Sequence, residues 1–338
     1  MGQNFIPDTV NQPLLFPPSL HDWLPDGHLA RFVVDVVSAL DLDSIYASYR
    51  EKDGRGQSAY APEMMVRLLL YGYATGVYSS RKIERRTWED VAFRYLSGDQ
   101  HPDHATLSEF RKRHLTALAG LFTQALLLCA KAGLAQLGHV SIDGTKIKAN
   151  ASKHKAMSYK RMTETEARLK QEINALLAAA EKADSAEITQ EANDKKQLLP
   201  MITQIEKNLA KKPGKVSSDA GYFSEANVTD AAVAKIDLYI ATGRDKHGDA
   251  VEITSGDAPA GATAREQMQH KLKTESRRAV YKMRKAIVEP VFGQIKECRG
   301  FRRFSMRGKQ NVRGEWRLVC AVSNLLKLFR FGWMLQPA

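Results

Sequence analysis

Two short stretches decide the fold: His139-Val140-Ser141-Ile142-Asp143-Gly144-Thr145 and Lys215-Val216-Ser217-Ser218-Asp219-Ala220-Gly221. In each stretch a short run leads to an aspartate that a glycine follows within two residues, which is typical of a β-strand that runs into a turn. A single aspartate at a strand end is usually only a turn residue. Two of them, on neighbouring strands, would place two carboxylates in one crevice, where hard cations such as magnesium bind.

Around these strands the sequence predicts two domains. Helical spacing of apolar residues predicts an all-helical N-terminal domain over residues 1–137, with the nearly apolar run Glu63–Tyr73 in a central helix. Residues 138–338 are predicted to form a mixed α+β domain with a third strand at Ile236–Ala241. A charged, alanine-rich helical segment occupies residues 153–209, with a short coiled-coil-like stripe. Helix resumes from Gln267 to Gln294, with an interruption at Pro290.

The charge of the chain is concentrated at its C-terminal end. The formal net charge is +12, and residues 271–338 hold seventeen Lys or Arg against four Glu. This basic C-terminal region predicts a polyanionic partner such as nucleic acid, with a basic tail on an ordinary enzyme as the alternative. The three cysteines show no disulfide or zinc spacing. No stretch resembles a membrane span or a secretion signal, so we expect a cytoplasmic protein.

Two helical stretches carry residues suited to DNA. Glu289 and Lys296 lie seven residues apart, with Tyr281 and Lys285 on the same helix face. A carboxylate flanked by cations suits a metal beside a phosphate, and an ordinary salt-bridged amphipathic helix is the alternative. Further upstream, residues 103–114 predict a basic helix in which Arg111 contacts DNA, with a solvated helix face as the alternative. His101–His104 is interpreted as a turn, and Trp88 as a core residue.

Taken together, these motifs resemble the DDE transposases of bacterial insertion sequences. The resemblance rests on three motifs: Ile142-Asp143-Gly144-Thr145-Lys146, Asp219-Ala220-Gly221-Tyr222, and Tyr281 followed by Val288-Glu289-Pro290-Val291-Phe292-Gly293-Gln294-Ile295-Lys296. It continues through residues 300–308 and 324–328, and the helical region at 20–114 resembles the N-terminal part of the same family. The likeness therefore covers most of the chain.

The resemblance implies a ribonuclease H-like catalytic domain in which Asp143, Asp219 and Glu289 hold two magnesium ions, with manganese as a substitute. The implied chemistry is in-line attack on a DNA phosphodiester, first by water at the element end and then by the freed 3′-hydroxyl on target DNA. The implied partners are the terminal inverted repeats of the element, the target DNA and a second copy of the chain. The implied location is the bacterial cytoplasm, at the nucleoid.

The family carries a Tyr, Arg, Glu, Lys signature, to which Glu289 and Lys296 correspond directly. Tyr281 and Arg284 keep their mutual spacing but lie one residue farther from Glu289 than the pattern, which leaves Lys285 as an alternative for the Arg position. The resemblance implies that these cations position the phosphate near the cut. It also implies that the basic tail holds the duplex through Arg302, Arg303 and Arg307.

One interval departs from the family pattern. The 75 residues between Asp143 and Asp219 show helical spacing nearly throughout, whereas a ribonuclease H-like core has two further strands there. Our hypothesis is that the chain is an internally shortened copy that lacks them. Two alternatives stay open: a catalytically inactive, DNA-binding transposition inhibitor, and a ribonuclease H-like nuclease that cleaves DNA without joining ends.

Overall fold

The computed structural model describes residues 19–50, 58–135, 137–150, 194–243, 253–256, 258–259 and 261–332. They fall into two compact units. The first contains the residues before 135 together with those from Arg313 onward, and the second contains Ala135–Val312. Of the predicted helical segment at residues 153–209, residues 153–193 lie outside the described residues.

The first unit is helical, as the apolar spacing predicts. Its helices are α1 (Leu29–Ala39), α2 (Asp43–Arg50), α3 (Pro62–Thr75), α4 (Ser80–Glu89), α5 (Val91–Ser97), α6 (His104–Arg113), α7 (Leu115–Lys131) and most of the C-terminal helix (Lys309–Arg330). Helix α3 starts at Pro62. Proline is favoured there because it has no backbone N–H, and an N–H in the first turn would have no partner within the helix. Its side chains from Met64 to Tyr73 are almost all buried, so the prediction of a central helix is confirmed.

No single helix of the described residues is long and apolar enough to cross a membrane. Taken together, helices α6 and α7 have the length and apolar composition of a membrane span, but the pair is bent by 70°.

The C-terminal helix extends the first unit beyond the predicted limits. The mixed domain was predicted to reach residue 338, but the compact second unit ends at Val312. The physical reason is apolar burial, because Leu318, Val322 and Leu325 of this helix are buried in the first unit. Tyr73 of α3 donates a 2.9 Å hydrogen bond to the buried carboxylate of Glu315 in the same helix.

The second unit is built on three parallel strands. In chain order its elements are β1 (His139–Ile142), α8 (Leu198–Leu209), β2 (Lys215–Ser218), α9 (Glu225–Thr229), β3 (Asp237–Ile240), α10 (Ala264–Lys273), α11 (Glu275–Gly293) and a π-helical turn (Gln294–Cys298). The strand order is β1-β2-β3. All three strands were predicted from the sequence, with ends within three residues of those observed.

Alternation along the strands gives the sheet an apolar face and a more polar face. Ile142, Val216 and Ile240 lie in one buried cluster with Leu198 and Ile202 of α8. On the polar face, the His139 ring nitrogen Nε2 lies 3.0 Å from the Ser217 hydroxyl. Burial lowers the pKa of His139, with Lys215 adding to the effect.

The helical break in the second unit falls at Thr274 and not at Pro290, where it was predicted. The backbone of Thr274 is extended and forms a bridge with Thr254, so α10 ends there and α11 begins. Helix α11 then continues through Pro290. In the part of the sheet that the structure describes, no antiparallel strand follows β1. Residues 151–193, on which the shortened-copy hypothesis depends, lie outside that part.

The close approach of the C-terminal helix to α7 gives a testable prediction. A Cβ atom added at Gly314 would lie 2.6 Å from Cγ of Leu115, while one added at Gly120 of α7 would meet nothing within 4 Å. We expect Gly314→Ala to lower the free energy of unfolding by about 1–3 kcal/mol through overpacking.

Gly120→Ala is the matched control, and it should raise the free energy of unfolding by up to ~1 kcal/mol because alanine favours the helix. Urea unfolding of both variants measures the difference. Equal effects of the two substitutions would contradict the close packing.

Candidate functional site

The register of the sheet brings the two predicted aspartates together. Ile142, the last residue of β1, pairs with Ser218, the last residue of β2. Asp143 and Asp219 therefore follow at matching positions on two parallel strands, which lie about 4.8 Å apart. The two strands are neighbours, which is the condition for the two aspartates to share a crevice, and both aspartates leave the sheet at its carboxyl edge.

Asp143 is engaged by a cation on helix α11. Its Oδ2 accepts a 2.8 Å hydrogen bond from Nη1 of Arg284, and its Oδ1 accepts one of 2.8 Å from the backbone N–H of Gly144. The side chains of Arg284 and Asp143 are 16% and 24% exposed. This is a partly buried, charge-assisted bond, which is stronger than a solvent-exposed ion pair.

Asp219 starts a short 3-10 turn and lies beside a carboxylate that the sequence analysis missed. Its Oδ1 accepts a 2.9 Å bond from the N–H of Gly221. A Cβ atom at Gly221 would lie 3.1 Å from that oxygen and 3.2 Å from Oδ2 of Asp194, so a side chain there would crowd both groups. Asp194 begins a turn distant from both strands in the sequence, and no local pattern pointed to it.

Tyr222 lies among these carboxylates. It is 3% exposed, and its hydroxyl is 4.0 Å from the position of a Cβ atom at Gly144. Burial raises the pKa of Tyr222 to about 12, with further contributions from Asp194, Asp219 and Asp143 in decreasing order. Tyr222 belonged to the motif quoted from the sequence, but the motif gave it no role.

Helix α11 packs on the strands and carries the remaining predicted residues of the site. Arg284 reaches Asp143, while Lys285 and Glu289 are exposed beside the buried Val288. Of the two candidates for the Arg position, Arg284 is therefore the one that contacts an aspartate. Among the described residues, no three His, Cys, Asp or Glu side chains are gathered closely enough to hold a metal ion.

The spacing between Glu289 and Lys296 includes the π-helical turn. The same-face prediction assumed seven residues of regular α-helix, but Gln294–Cys298 forms wider π-type turns. The two side chains are therefore not separated by two regular turns of α-helix, as the same-face prediction had assumed. On the preceding part of the helix, the Tyr281 ring lies 5.8 Å from Cζ of Arg284, a cation–π contact.

The predicted basic residues Arg302, Arg303 and Arg307 are all exposed. Their segment is held by main-chain bonds to the chain that follows Asp143: the N–H of Lys148 donates to Arg302 O at 3.0 Å, and the N–H of Phe304 donates to Lys148 O at 2.9 Å. Arg302 also pairs with Glu297. These bonds hold the basic segment beside the residues that follow Asp143, although the two segments are far apart in the sequence.

Arg111, predicted to contact DNA, is instead an interior residue. It is 6% exposed, and its Nη1 donates a 2.9 Å bond to the carbonyl oxygen of Tyr78 and a longer one to the Tyr73 hydroxyl. The prediction is corrected for a physical reason: the side chain satisfies polar groups inside the helical unit. Its neighbour Lys112 is exposed.

Two other motifs of the helical unit differ from their predictions. Asp103 has extended backbone and caps α6 by accepting bonds from the N–H groups of Ala105 and Thr106, so an N-cap stands where a turn was predicted. Trp88 was interpreted as a core residue, but it is 63% exposed. Its ring stacks on His101 at a centroid distance of 3.4 Å, and this contact covers one face of the indole instead of burying it.

Because Arg111 is buried and its neighbour Lys112 is exposed, we expect substitution of Arg111, and not of Lys112, to destabilise the protein. Arg111→Ala should lower the free energy of unfolding by about 2–3 kcal/mol, because buried acceptors lose a charged donor. Lys112→Ala should leave stability within ~0.5 kcal/mol of the unchanged protein. Urea unfolding measures both values, and a surface role for Arg111 would appear as equal stability of the two variants.

Two family models match the chain. A model described as a transposase domain (DUF772) matches residues 18–113, and a model described as a transposase DDE domain matches residues 243–329. The first match covers the helices α1 to α6, and the second holds Arg284, Glu289 and Lys296. Asp143 and Asp219 precede the second match. No curated protein and no solved structure gave a match.

Proposed function

We propose that this chain, a DDE-type transposase by its two matched domains, cuts DNA at the ends of an insertion element and joins them to target DNA. The observation that carries the proposal is the register of β1 and β2, which sets Asp143 and Asp219 side by side under a helix bearing Arg284. The signature type and the bacterial origin implied by the sequence resemblance are part of the proposal.

The donor atoms of the site fit a divalent ion. Asp143 and Asp219 supply hard oxygen donors from neighbouring strand ends, as magnesium or manganese requires. Each carboxylate has more lone pairs than the hydrogen bonds described above occupy. Glu289 is exposed on the helix that crosses the strands, and we propose that it joins the aspartates as the third ligand. The two aspartates therefore fit as the fixed part of a metal site.

Two bound divalent ions would activate the attacking oxygen and stabilise the leaving oxygen of the phosphodiester. The residues of the chain would position the DNA. Arg284, with its planar fork of donors, suits two oxygens of one phosphate, whereas the ammonium of Lys296 suits a single oxygen. Tyr281 would hold the Arg284 guanidinium by its ring face.

The duplex would lie along the basic segment that includes Arg302, Arg303 and Arg307. These side chains are exposed, and their backbone is bonded to the segment that follows Asp143. Phosphates held there would place the strand to be cut near the aspartates. We further propose that the chain works as a homodimer that holds two element ends, in the cytoplasm at the nucleoid. The shortened-copy hypothesis stays part of this proposal.

A cleavage assay tests the proposal. Purified protein, magnesium and a DNA fragment carrying the flanking element ends should yield cut ends and joined products. Asp219→Ala should abolish both, because one of two fixed metal ligands is removed. Glu206→Ala, which removes a negative charge from the exposed face of α8, should retain both activities.

The outcomes of this assay separate the alternatives. DNA binding without cleavage in any variant would favour the inactive inhibitor, and cleavage without joining would favour a nuclease. Cleavage that survives Asp219→Ala would overturn the assignment of the site.

The basic segment predicts a change in salt dependence. Joint substitution of Arg302, Arg303 and Arg307 by alanine should reduce the slope of log affinity against log salt, by about 0.9 for each phosphate that the variant no longer neutralises. Fluorescence anisotropy with labelled duplex over a range of salt concentrations measures the slope.

The matched control is the triple alanine substitution of Lys207, Lys211 and Lys212, which are exposed at the end of α8 and beyond it. It removes the same charge from the same unit, and Lys212 pairs with Glu206 as Arg302 does with Glu297. We expect its slope to stay close to that of the unchanged protein. An equal reduction in both triples would indicate a general charge effect without a local duplex site.

A further inference from the structure

We propose that Arg284 is an internal counter-ion of Asp143 that competes with a divalent metal, so that metal binding favours release of the guanidinium to a DNA phosphate. The inference rests on the proposed function and deepens it, because it assigns one residue to two successive partners. It concerns the regulation of the site by its own side chains.

The first support is the geometry of the contact. Nη1 of Arg284 lies 2.8 Å from Oδ2 of Asp143, while Oδ1 accepts the N–H of Gly144. Both oxygens of the carboxylate are therefore already engaged. The pair is only 16% and 24% exposed, so water screens it less than a surface pair.

The second support is the charge balance of the strand ends. Asp219 follows β2 at the position matching Asp143, and Asp194 approaches the same turn. Negative charges on neighbouring strand ends repel one another, and a cation beside one of them lowers the electrostatic cost. Among these three carboxylates, in the part of the chain that the structure describes, Asp143 is the one with an ion pair. Arg284 therefore supplies the positive charge that a metal would supply.

The third support is that the two cations repel one another. Magnesium binds carboxylate oxygen at about 2.0–2.1 Å and keeps a full shell of oxygens around itself. A guanidinium hydrogen-bonded to the same oxygen would be a like charge within a few ångströms of the ion. Metal binding at Asp143 and the bond from Arg284 therefore disfavour each other, and a phosphate is the anion that the donors of a released Arg284 fit best.

Two binding steps then become linked. A DNA phosphate that takes Arg284 leaves Asp143 free for the metal, and a metal that takes Asp143 leaves Arg284 free for the phosphate. By thermodynamic reciprocity, each ligand raises the affinity of the other by the same factor. The site would thus bind the metal more weakly until DNA is present.

The experiment measures manganese binding to the full-length protein by electron paramagnetic resonance, without DNA. The variants are Arg284→Ala, Lys282→Ala and Asp219→Asn. Lys282 is exposed on the same helix, and its substitution removes the same charge without touching Asp143. We expect Arg284→Ala to bind manganese about tenfold more tightly, as removal of one charge-assisted competitor implies, and Lys282→Ala to change the affinity less than about twofold.

Arg284→Lys checks that a competing cation is the cause, and circular dichroism checks that each variant is folded. The lysine variant should bind manganese with an affinity between those of Arg284→Ala and the unchanged protein. Unchanged or weaker binding in Arg284→Ala would overturn the inference. Should the alanine variant fail to fold, Arg284→Gln replaces it and carries the same expectation.

Asp219→Asn separates this inference from the proposed function. Loss of manganese binding in that variant, with no effect of Arg284→Ala, would leave the metal site intact as a proposal and reject only the counter-ion role. Manganese binding that is unaffected by Asp219→Asn would reject the metal site itself, and the counter-ion role with it.

Discussion

The parallel, in-register pairing of β1 with β2 is the constraint on which the rest of the site depends. Because side chains alternate along a strand, a shift of one residue would turn Asp143 away from Asp219 and carry Ile142 out of the apolar cluster. Burial of Ile142 and Val216 against α8 therefore fixes the register, and the register fixes the carboxylates. The position of the acidic pair is a consequence of the apolar packing of the strands that precede it.

Placing like charges at one sheet edge has an electrostatic cost that the surrounding chain offsets. Backbone N–H groups of Gly144 and Gly221 donate to the two aspartates, and Arg284 donates to Asp143. Tyr222 lies among these groups, and its pKa is raised to about 12 by burial first and by the three carboxylates next. A group of carboxylates of this kind favours the binding of positive charge from outside.

The basic character of the C-terminal region is divided between two tasks. Arg302, Arg303 and Arg307 are exposed on a segment that is bonded to the chain leaving Asp143. From residue 313 onward, the C-terminal helix packs its apolar side within the helical unit, where Glu315 accepts a bond from Tyr73. Position in the sequence alone would have assigned the basic segment and the C-terminal helix to one basic surface.

Local patterns in the sequence were enough for the strands, the central helix α3 and the two aspartates as candidates, because each depends on neighbours within a few residues. The structure was needed wherever the partner is distant in the chain. Arg111 has the same local setting as its exposed neighbour Lys112, and only packing around Tyr73 and Tyr78 buries it. Asp194 and the bond between Arg284 and Asp143 likewise had no local signal. The sequence by itself determined which residue types the site holds, and the tertiary structure decided which of them meet, because contacts across many residues depend on register and burial.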